Sequence, residues 1–146
     1  MRVALIQVEC NDTESVGNRI DRVLGETDRV IGEADFVVLP ELWNSGAFDL
    51  ASARHHAQPL DGDLVSRMAG IAQRHSTWLH GGSFTERADD GRFFNTSVLF
   101  GPDGSLEAAY RKIHVFGYGG EADVMSAGPE LIVVNTPLGA TGLATC

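Results

Sequence analysis

Three residues with reactive side chains each lie just beyond a short apolar run in this sequence. Glu41, Lys112 and Cys146 follow apolar runs at 36–39, 106–110 and 143–145, respectively. If these runs are strands of an α/β sheet, their ends lie where such sheets place ligand sites. A carboxylate, an ammonium group and a thiol can then converge on one site.

These three groups suit nucleophilic attack on a carbonyl carbon. A cysteine attacks as its thiolate, so a neighbouring base must take the thiol proton. Glu41, in a loop that also contains Trp43 and Phe48, can act as that base. Lys112 offers a fixed positive charge to the oxyanion that develops on the attacked carbon. The set predicts a cysteine-dependent acyl-transfer site.

Each of these residues also has an ordinary structural interpretation. Cysteine is among the most buried residue types and is inert when buried, so Cys146 fits a core position. Glu41 fits a solvated loop, and Lys112 fits a charged surface because lysine is rarely buried. From the residues alone, both interpretations stay open.

The elements that must position these residues are visible as periodic apolar patterns. Apolar side chains recur three and four residues apart in two helical segments, which also begin with capping signals. In the first segment Asn11 and Glu14 resemble a capping box, and in the second Asp61-Gly62-Asp63 can cap the helix. The predicted helical faces consist of Val16, Ile20, Val23, Leu24, Val30, Ile31 and Ala34, and of Leu64, Val65, Met68, Ile71, Ala72 and His75.

Short apolar runs with turn residues between them predict the strands. The predicted strands lie at 3–8, 36–39, 94–100, 106–110, 131–134 and 143–145, and a further strand begins at 77–79. Gly101-Pro102-Asp103-Gly104 predicts a hairpin turn, whereas 40–50 and 113–130 are interpreted as loops. Strand–helix–strand units followed by hairpins favour an α/β fold with a mixed sheet whose helices cover one face. A second sheet or another chain must then cover the other face.

Composition narrows the function classes. The chain has 146 residues, a length typical of one domain, and a net charge of −9 that disfavours nucleic acid and anionic membranes as partners. The histidines lack a metal-ligand spacing, and the glycine pairs lack a phosphate-binding fingerprint, so no metal or cofactor is predicted. Cys10 and Cys146 do not form a disulfide framework, and the apolar run at the start is too short for a signal peptide. These features favour the cytoplasm, with Cys10 as a small buried hydrophobe.

Several tracts together resemble the nitrilase, or carbon-nitrogen hydrolase, superfamily. They are PELW at 40–43, NTSVLFGPDG at 95–104, YRKIHVFG at 110–117 and GLATC at 142–146, after an opening VALIQV. The resemblance implies a Glu–Lys–Cys triad of Glu41, Lys112 and Cys146. It also implies a second glutamate, matched to Glu121 in GGEAD, that helps to position substrate and water.

The family resemblance also implies a function. Cys146 would attack a small amide, an ω-amide or a nitrile-type substrate, form a thioester and release the acid on hydrolysis, without metal or organic cofactor. Trp43, Phe48, His114 and Phe116 are predicted to line the pocket. The implied fold is a four-layer α-β-β-α sandwich, which in the full-length protein forms homo-oligomers.

The resemblance covers the N-terminal half of the family, because the family's nucleophile lies in mid-chain. Residues 1–146 are therefore expected to be the N-terminal portion of a carbon-nitrogen hydrolase domain, truncated at its nucleophile. The residues that follow normally complete the oxyanion hole, so the 146 residues alone are expected to turn over poorly, if at all. The alternative interpretation is a non-catalytic α/β module that pairs with another chain through its uncovered sheet face.

Overall fold

The computed structural model describes residues 1–11 and 13–146. Seven strands and four α-helices, with short 3₁₀ turns at Ile31–Glu33 and Gly117–Gly119, make up this part of the chain. The strands are β1 Val3–Leu5, β2 Phe36–Val38, β3 Trp78–Arg87, β4 Phe93–Phe100, β5 Leu106–Arg111, β6 Val133–Thr136 and β7 Gly139–Gly142. The helices are α1 Val16–Val30, α2 Leu50–His55, α3 Asp63–His75 and α4 Glu121–Val124.

Strands β1 to β5 form one mixed sheet in sequential order. β1, β2 and β3 are parallel, because α1 and α3 supply the crossovers, whereas β3, β4 and β5 are antiparallel neighbours. The β4–β5 hairpin turns at 101–104 as expected, and its register pairs Thr96 with Arg111 and Ser97 with Tyr110. The predicted α/β fold with a mixed sheet is confirmed.

Helices α1 and α3 bury their predicted faces against one side of this sheet. The shared core consists of Val16, Ile20, Val23, Leu24, Ile31, Ala34, Leu64, Val65, Met68, Ile71 and Ala72 from the helical side, Val37, Leu39, Leu79, Phe84, Val98 and Phe100 from the sheet, and Trp43 from the loop after β2. Two predicted face residues lie outside it. Val30 is 38% exposed, and His75 bonds Asp28 at the surface.

The β6–β7 hairpin packs against the other side of the sheet and begins a second sheet there. Leu143, Ile132 and Val134 of this segment contact Phe36, Leu99 and Tyr110. The described residues therefore form helix, sheet and hairpin layers in that order. A second sheet, one of the two covers considered above, covers part of this face.

The structure corrects the prediction for the last strand. β7 lies at Gly139–Gly142 rather than at 143–145, because the tight turn pairs Thr136 directly with Gly139. Beyond β7 one backbone hydrogen bond, from the Leu143 amide to the Ile132 carbonyl at 3.1 Å, extends the pairing with β6 in the described part of the chain. Cys146 consequently lies in an irregular segment beyond the strand.

The structure corrects the predicted start of α1, whereas α3 starts within the predicted tract Asp61-Gly62-Asp63, with a more distant side chain as its acceptor. Ser15 caps α1, accepting from the Asn18 amide at 3.2 Å, while the Asn11 side chain closes a local turn with Thr13. For α3 the cap residue is Gly62, which has no side chain, so the Gln58 carboxamide accepts from the Leu64 amide instead. In each helix a nearby polar side chain accepts one of the backbone amides that are free in the first turn.

The predicted loop at 113–130 contains a short helix, α4, and another short helix, α2, begins at the last residue of the predicted loop at 40–50. Both helices are too short to show periodicity in the sequence. Asp49 caps α2, with Oδ1 accepting from the Ser52 amide at 2.9 Å. Leu42, Ala53 and Met125 bury a small separate cluster between these loops and the sheet. No helix in the described part of the chain combines the length and hydropathy that a bilayer span requires.

Candidate active site

Glu41 is held at the end of β2 by a strained turn. Its neighbour Leu42 is buried and has φ of +47°, a left-handed conformation that is uncommon for a leucine. The Ser83 hydroxyl accepts the Leu42 amide at 3.1 Å, and the Leu42 carbonyl accepts the Gly46 amide at 2.8 Å. Strain of this kind persists where the surroundings over-determine it, often at functional sites.

A bulge in β3 makes room for this turn. The β3–β4 register shifts between His80 and Ser83, and Gly82 has φ of +65°. A Cβ atom at Gly82 would lie 2.0 Å from the carbonyl oxygen of Pro40, so only glycine allows this approach. The Ser83 amide then donates to that same carbonyl oxygen at 3.2 Å. The bulge thus fixes the chain directly before Glu41.

Lys112 lies directly after β5 and is 2% exposed. Its amide donates to the Asn95 carbonyl at 2.9 Å, which continues the pairing with β4 by one residue. Its Nζ donates to Glu41 Oε1 at 3.0 Å and to Glu121 Oε2 at 2.9 Å. The ordinary surface interpretation of Lys112 is wrong, because this ammonium group is buried between two carboxylates.

Glu121 is the first residue of α4 and is 5% exposed. Besides the bond from Lys112, its Oε2 accepts the backbone amide of Phe116 at 2.7 Å, while its Oε1 accepts Asn95 Nδ2 at 2.8 Å. Three donors therefore converge on this carboxylate. The structure brings Glu121 into direct contact with Lys112.

The pKa values of the buried pair shift in the directions that keep both groups charged. Burial by itself would lower the pKa of Lys112, but hydrogen bonds to Glu121 and Glu41 outweigh it and raise that pKa above its ordinary value. Burial would likewise raise the pKa of Glu121, but bonds from Lys112, Asn95 and the Phe116 amide bring it below its ordinary value. Lys112 is therefore a fixed cation, and Glu121 a fixed anion.

Cys146 and Glu41 line the same cavity, which has a volume of about 230 Å³ between the five-stranded sheet and the segment after β7. The cysteine is exposed, and within the described residues it makes no hydrogen bond to the Glu41–Lys112–Glu121 cluster. The structure thus brings Glu41, Lys112 and Glu121 into contact and places Cys146 in the lining of a cavity that Glu41 also lines.

Of the four predicted pocket residues, Trp43 lies in the core. It is 1% exposed, and its indole N–H donates to the Gly81 carbonyl at 2.9 Å, so it packs rather than lines the cavity. Phe48, His114 and Phe116 are exposed, and none of them lines the cavity shared by Glu41 and Cys146. A pocket role for these three stays a prediction. Cys10 is also exposed rather than buried, so its interpretation as a small core hydrophobe is wrong.

Two polar residues at this site were missed by sequence reasoning. Asn95 Nδ2 donates to Glu41 Oε1 at 2.7 Å as well as to Glu121, and His80 lines the cavity with Nε2 2.7 Å from Ser97 Oγ. Burial lowers the pKa of His80, opposed by a backbone hydrogen bond at Leu39, so its ring is neutral near pH 7. The available signal was strand alternation, which puts the polar residues Asn95 and Ser97 of β4 on one face of the sheet and Thr96 on the other.

Comparisons with known proteins show the family of this chain. The family model for carbon-nitrogen hydrolase matches residues 2–146. A 2-oxoglutaramate amidase from Paenarthrobacter nicotinovorans is 40% identical over 99% of this chain and 51% of its own length. The omega-amidase NIT2 from Homo sapiens is 31% identical over 99% of this chain and 54% of its own length.

Solved structures share the fold as well. The CN-hydrolase superfamily protein XC1258 from Xanthomonas campestris superposes with a TM-score of 0.87 and 27% identity, over 99% of this chain and 52% of that one. Nit3 from Saccharomyces cerevisiae, a member of the nitrilase superfamily, gives a TM-score of 0.86 at 25% identity, over 100% and 55% of the two chains. This chain spans about half the length of the curated relatives it matches. From the family match and the fold together, the chain belongs to the carbon-nitrogen hydrolase family.

Proposed function

We propose that the protein containing this chain hydrolyses small amides through a thioester on Cys146, with Glu41 as the base, Lys112 as the oxyanion donor and Glu121 as a positioning carboxylate. The observation that carries the proposal is the buried Glu41–Lys112–Glu121 cluster, whose Glu41 shares a cavity with Cys146. The curated relatives named as amidases support the same reaction class.

In the first step Cys146 Sγ attacks the amide carbon and Glu41 takes the thiol proton. Oε1 of Glu41 already accepts from Lys112 and Asn95, so Oε2 is the oxygen left to receive the proton. The two donors on Oε1 hold the carboxylate in one orientation. A fixed base within reach of the thiol is what nucleophilic catalysis by cysteine requires.

Lys112 is suited to the oxyanion rather than to proton transfer. Its raised pKa keeps the ammonium group protonated, so it acts as a charge and not as a base. An ammonium has three N–H donors, of which two bond to Glu41 and Glu121, and the third can meet the oxyanion. Removing one such donor in other enzymes costs about 10²–10³ in kcat.

Collapse of the tetrahedral intermediate breaks the C–N bond. Glu41 returns its proton to the leaving nitrogen, so that ammonia departs and the acyl group stays on Sγ as a thioester. Water then attacks the thioester, Glu41 takes a proton from the water, and the acid and the free thiol are released. Glu121 is a weaker candidate base for the water, since three donors stabilise its anion. These steps need no metal or organic cofactor.

For the substrate we propose a small ω-amide. The support is that curated relatives are named 2-oxoglutaramate amidase and omega-amidase. The cavity volume of about 230 Å³ also lies below the roughly 300–1,000 Å³ typical of drug-sized ligand pockets. The non-catalytic alternative is not favoured, given the names of the relatives and the hairpin on the second sheet face. Homo-oligomerisation of the full-length protein stays a prediction.

The test measures ammonia release from 2-oxoglutaramate and from simple aliphatic amides by the full-length protein. Cys146→Ala should abolish release, whereas Cys10→Ser should leave it unchanged and serves as the matched control, because Cys10 and Cys146 are the free cysteines of the described residues. Hydroxylamine should divert the thioester to a hydroxamate. Full activity of Cys146→Ala, or no amide hydrolysis by the wild type, would contradict the proposal.

A further inference from the structure

Asn95 closes a ring of hydrogen bonds around the catalytic charges. Lys112 Nζ bridges Glu41 Oε1 and Glu121 Oε2 at 3.0 and 2.9 Å, and Asn95 Nδ2 bridges Glu41 Oε1 and Glu121 Oε1 at 2.7 and 2.8 Å. Asn95 is 1% exposed, and its backbone carbonyl also accepts the Lys112 amide. One residue of β4 therefore contacts every other member of the cluster.

We propose that Asn95 is a positioning residue that holds the base Glu41 and the carboxylate Glu121 at a fixed separation and orientation for catalysis. This inference rests on the proposed amidase function. Two carboxylates and one ammonium group leave this site with a net negative charge, so the carboxylates repel each other. Lys112 compensates one of the two charges, and Asn95 supplies a second bridge without adding a charge.

The orientation of the Asn95 carboxamide follows from its partners. Nδ2 faces two carboxylate oxygens, and a flipped carboxamide would place Oδ1 against both of them, acceptor against acceptor. In the orientation that remains, Oδ1 is buried and has no partner within the described residues. Leaving a buried acceptor unpaired is unfavourable. The unpaired Oδ1 destabilises the fold, while the two Nδ2 hydrogen bonds restrain the carboxylates of Glu41 and Glu121. This combination is the pattern of a residue placed for function.

Aspartate, leucine and lysine would not serve in this position. An aspartate would replace both donors with acceptors and add a third negative charge. A leucine would fill the volume and leave the carboxylates bridged by Lys112 alone. A lysine would neutralise the remaining charge and so weaken Glu41 as a base. A neutral double donor is the one arrangement that restrains both carboxylates and leaves Glu41 basic.

The test compares Asn95→Leu and Asn95→Asp with Thr96→Val in the full-length protein. Thr96 is the matched control, because it is the adjacent buried residue, points to the opposite sheet face and donates to the structural carboxylate Glu86 at 2.6 Å. Loss of a hydrogen bond to a charged group predicts a fall in kcat/KM of about 10- to 100-fold for Asn95→Leu, mainly in kcat. Thr96→Val should lower the melting temperature and leave kcat/KM at 25 °C within about twofold of wild type.

The pH profile separates positioning from simple destabilisation. In Asn95→Asp, protonation of the new carboxyl at lower pH restores one donor and removes one charge, so the ratio of variant to wild-type kcat/KM should rise as the pH falls. This variant carries the test if the leucine variant does not fold. The inference would be overturned by a ratio of variant to wild-type kcat/KM that does not change with pH, or by Asn95→Leu kinetics equal to those of Thr96→Val. If the wild type still hydrolyses the amide, the proposed function stands in either case. Absence of wild-type hydrolysis would refute the function itself.

Discussion

Replacement of Lys112 by methionine should cost both stability and activity. The substitution keeps most of the side-chain volume and leaves Glu41 and Glu121 facing each other without their shared cation. Removing one partner of a buried ion pair costs about 3–5 kcal/mol. The Glu121 side chain is 6% exposed and that of Glu41 29% exposed, so Glu41 can rehydrate and the lower end applies, about 3 kcal/mol.

The expected fall in melting temperature follows from that figure. For domains of about 150–250 residues, a loss of 1 kcal/mol in the free energy of unfolding lowers the melting temperature by about 2–4 °C. A loss of about 3 kcal/mol should therefore lower the melting temperature by roughly 6–12 °C at pH 7. Turnover should also fall by about 10²–10³, because the oxyanion donor is lost. Scanning calorimetry and ammonia release on the full-length protein measure the two effects separately.

Arg111→Met supplies the control for this prediction. Arg111 precedes Lys112, carries the same charge and pairs with a buried carboxylate, Glu86, through Nε at 2.9 Å, on the helix side of the sheet. It should therefore lose stability and keep turnover at 25 °C. A Lys112→Met melting temperature within about 1 °C of wild type, or equal losses of turnover in the two variants, would refute the reasoning.

The pH dependence of stability gives a second check on the same pair. Because the folded-state pKa of Glu121 is lowered, its contribution is present above the unfolded value of about 4.3 and is lost as the pH falls through the folded pKa. Because that of Lys112 is raised, its contribution is present below about 10.4 and is lost as the pH rises through the folded pKa. Without the cation, burial favours a protonated Glu121, so the gap between Lys112→Met and wild type should narrow from pH 7 to pH 5.

Three other variants test the surroundings of the cluster. Glu41→Gln keeps the side-chain size but cannot take the Cys146 proton, so ammonia release should fall by about 10²–10⁴ with little change in melting temperature. Gly82→Ala places a Cβ atom 2.0 Å from the Pro40 carbonyl oxygen at positive φ, so both the melting temperature and turnover should fall; an unchanged protein would contradict the role of the bulge. His80→Gln should make the stability of the protein less sensitive to acid. Because the folded-state pKa of His80 is lowered, its contribution to stability is present above about pH 6.5 and is lost as the pH falls. Between about pH 7 and pH 5 the melting temperature should therefore fall further for wild type than for the variant.

Sequence reasoning located the main layers and all three members of the Glu41–Lys112–Glu121 cluster, but not Asn95, which bridges its two carboxylates. Strand ends predicted that Glu41 and Lys112 would converge, and the family resemblance supplied Glu121. Long helices and strands were predictable because each buries a continuous apolar face, as α1 and α3 do. The mixed character of the main sheet followed from the strand–helix–strand units and the hairpins, whereas the order of its strands was not predicted.

The remaining features depend on contacts between distant residues, which a linear pattern does not record. Asn95 is the first of three consecutive polar residues in β4, and nothing in that run distinguishes it until Glu41 and Glu121 are seen on either side of its amide. Trp43 lies two residues after Glu41, but the strained turn at Leu42 lies between them and the Trp43 ring is in the core. The last strand was misplaced because turn geometry, rather than the longest apolar run, set the pairing of β7.

The register of the β4–β5 hairpin also has a consequence for the tolerance of this chain to insertions and deletions. Arg111 and Lys112 are consecutive cations that pair with Glu86 on one face of the sheet and with Glu41 and Glu121 on the other. A slip of one residue along β4 would exchange their faces and offer a guanidinium where the chemistry uses an ammonium. Loss or gain of a single residue in the turn at 101–104 should therefore separate Lys112 from Glu41 and Glu121, although that turn lies at the far end of both strands. The length of this hairpin, as much as the identity of its residues, determines whether an ammonium group reaches the two carboxylates.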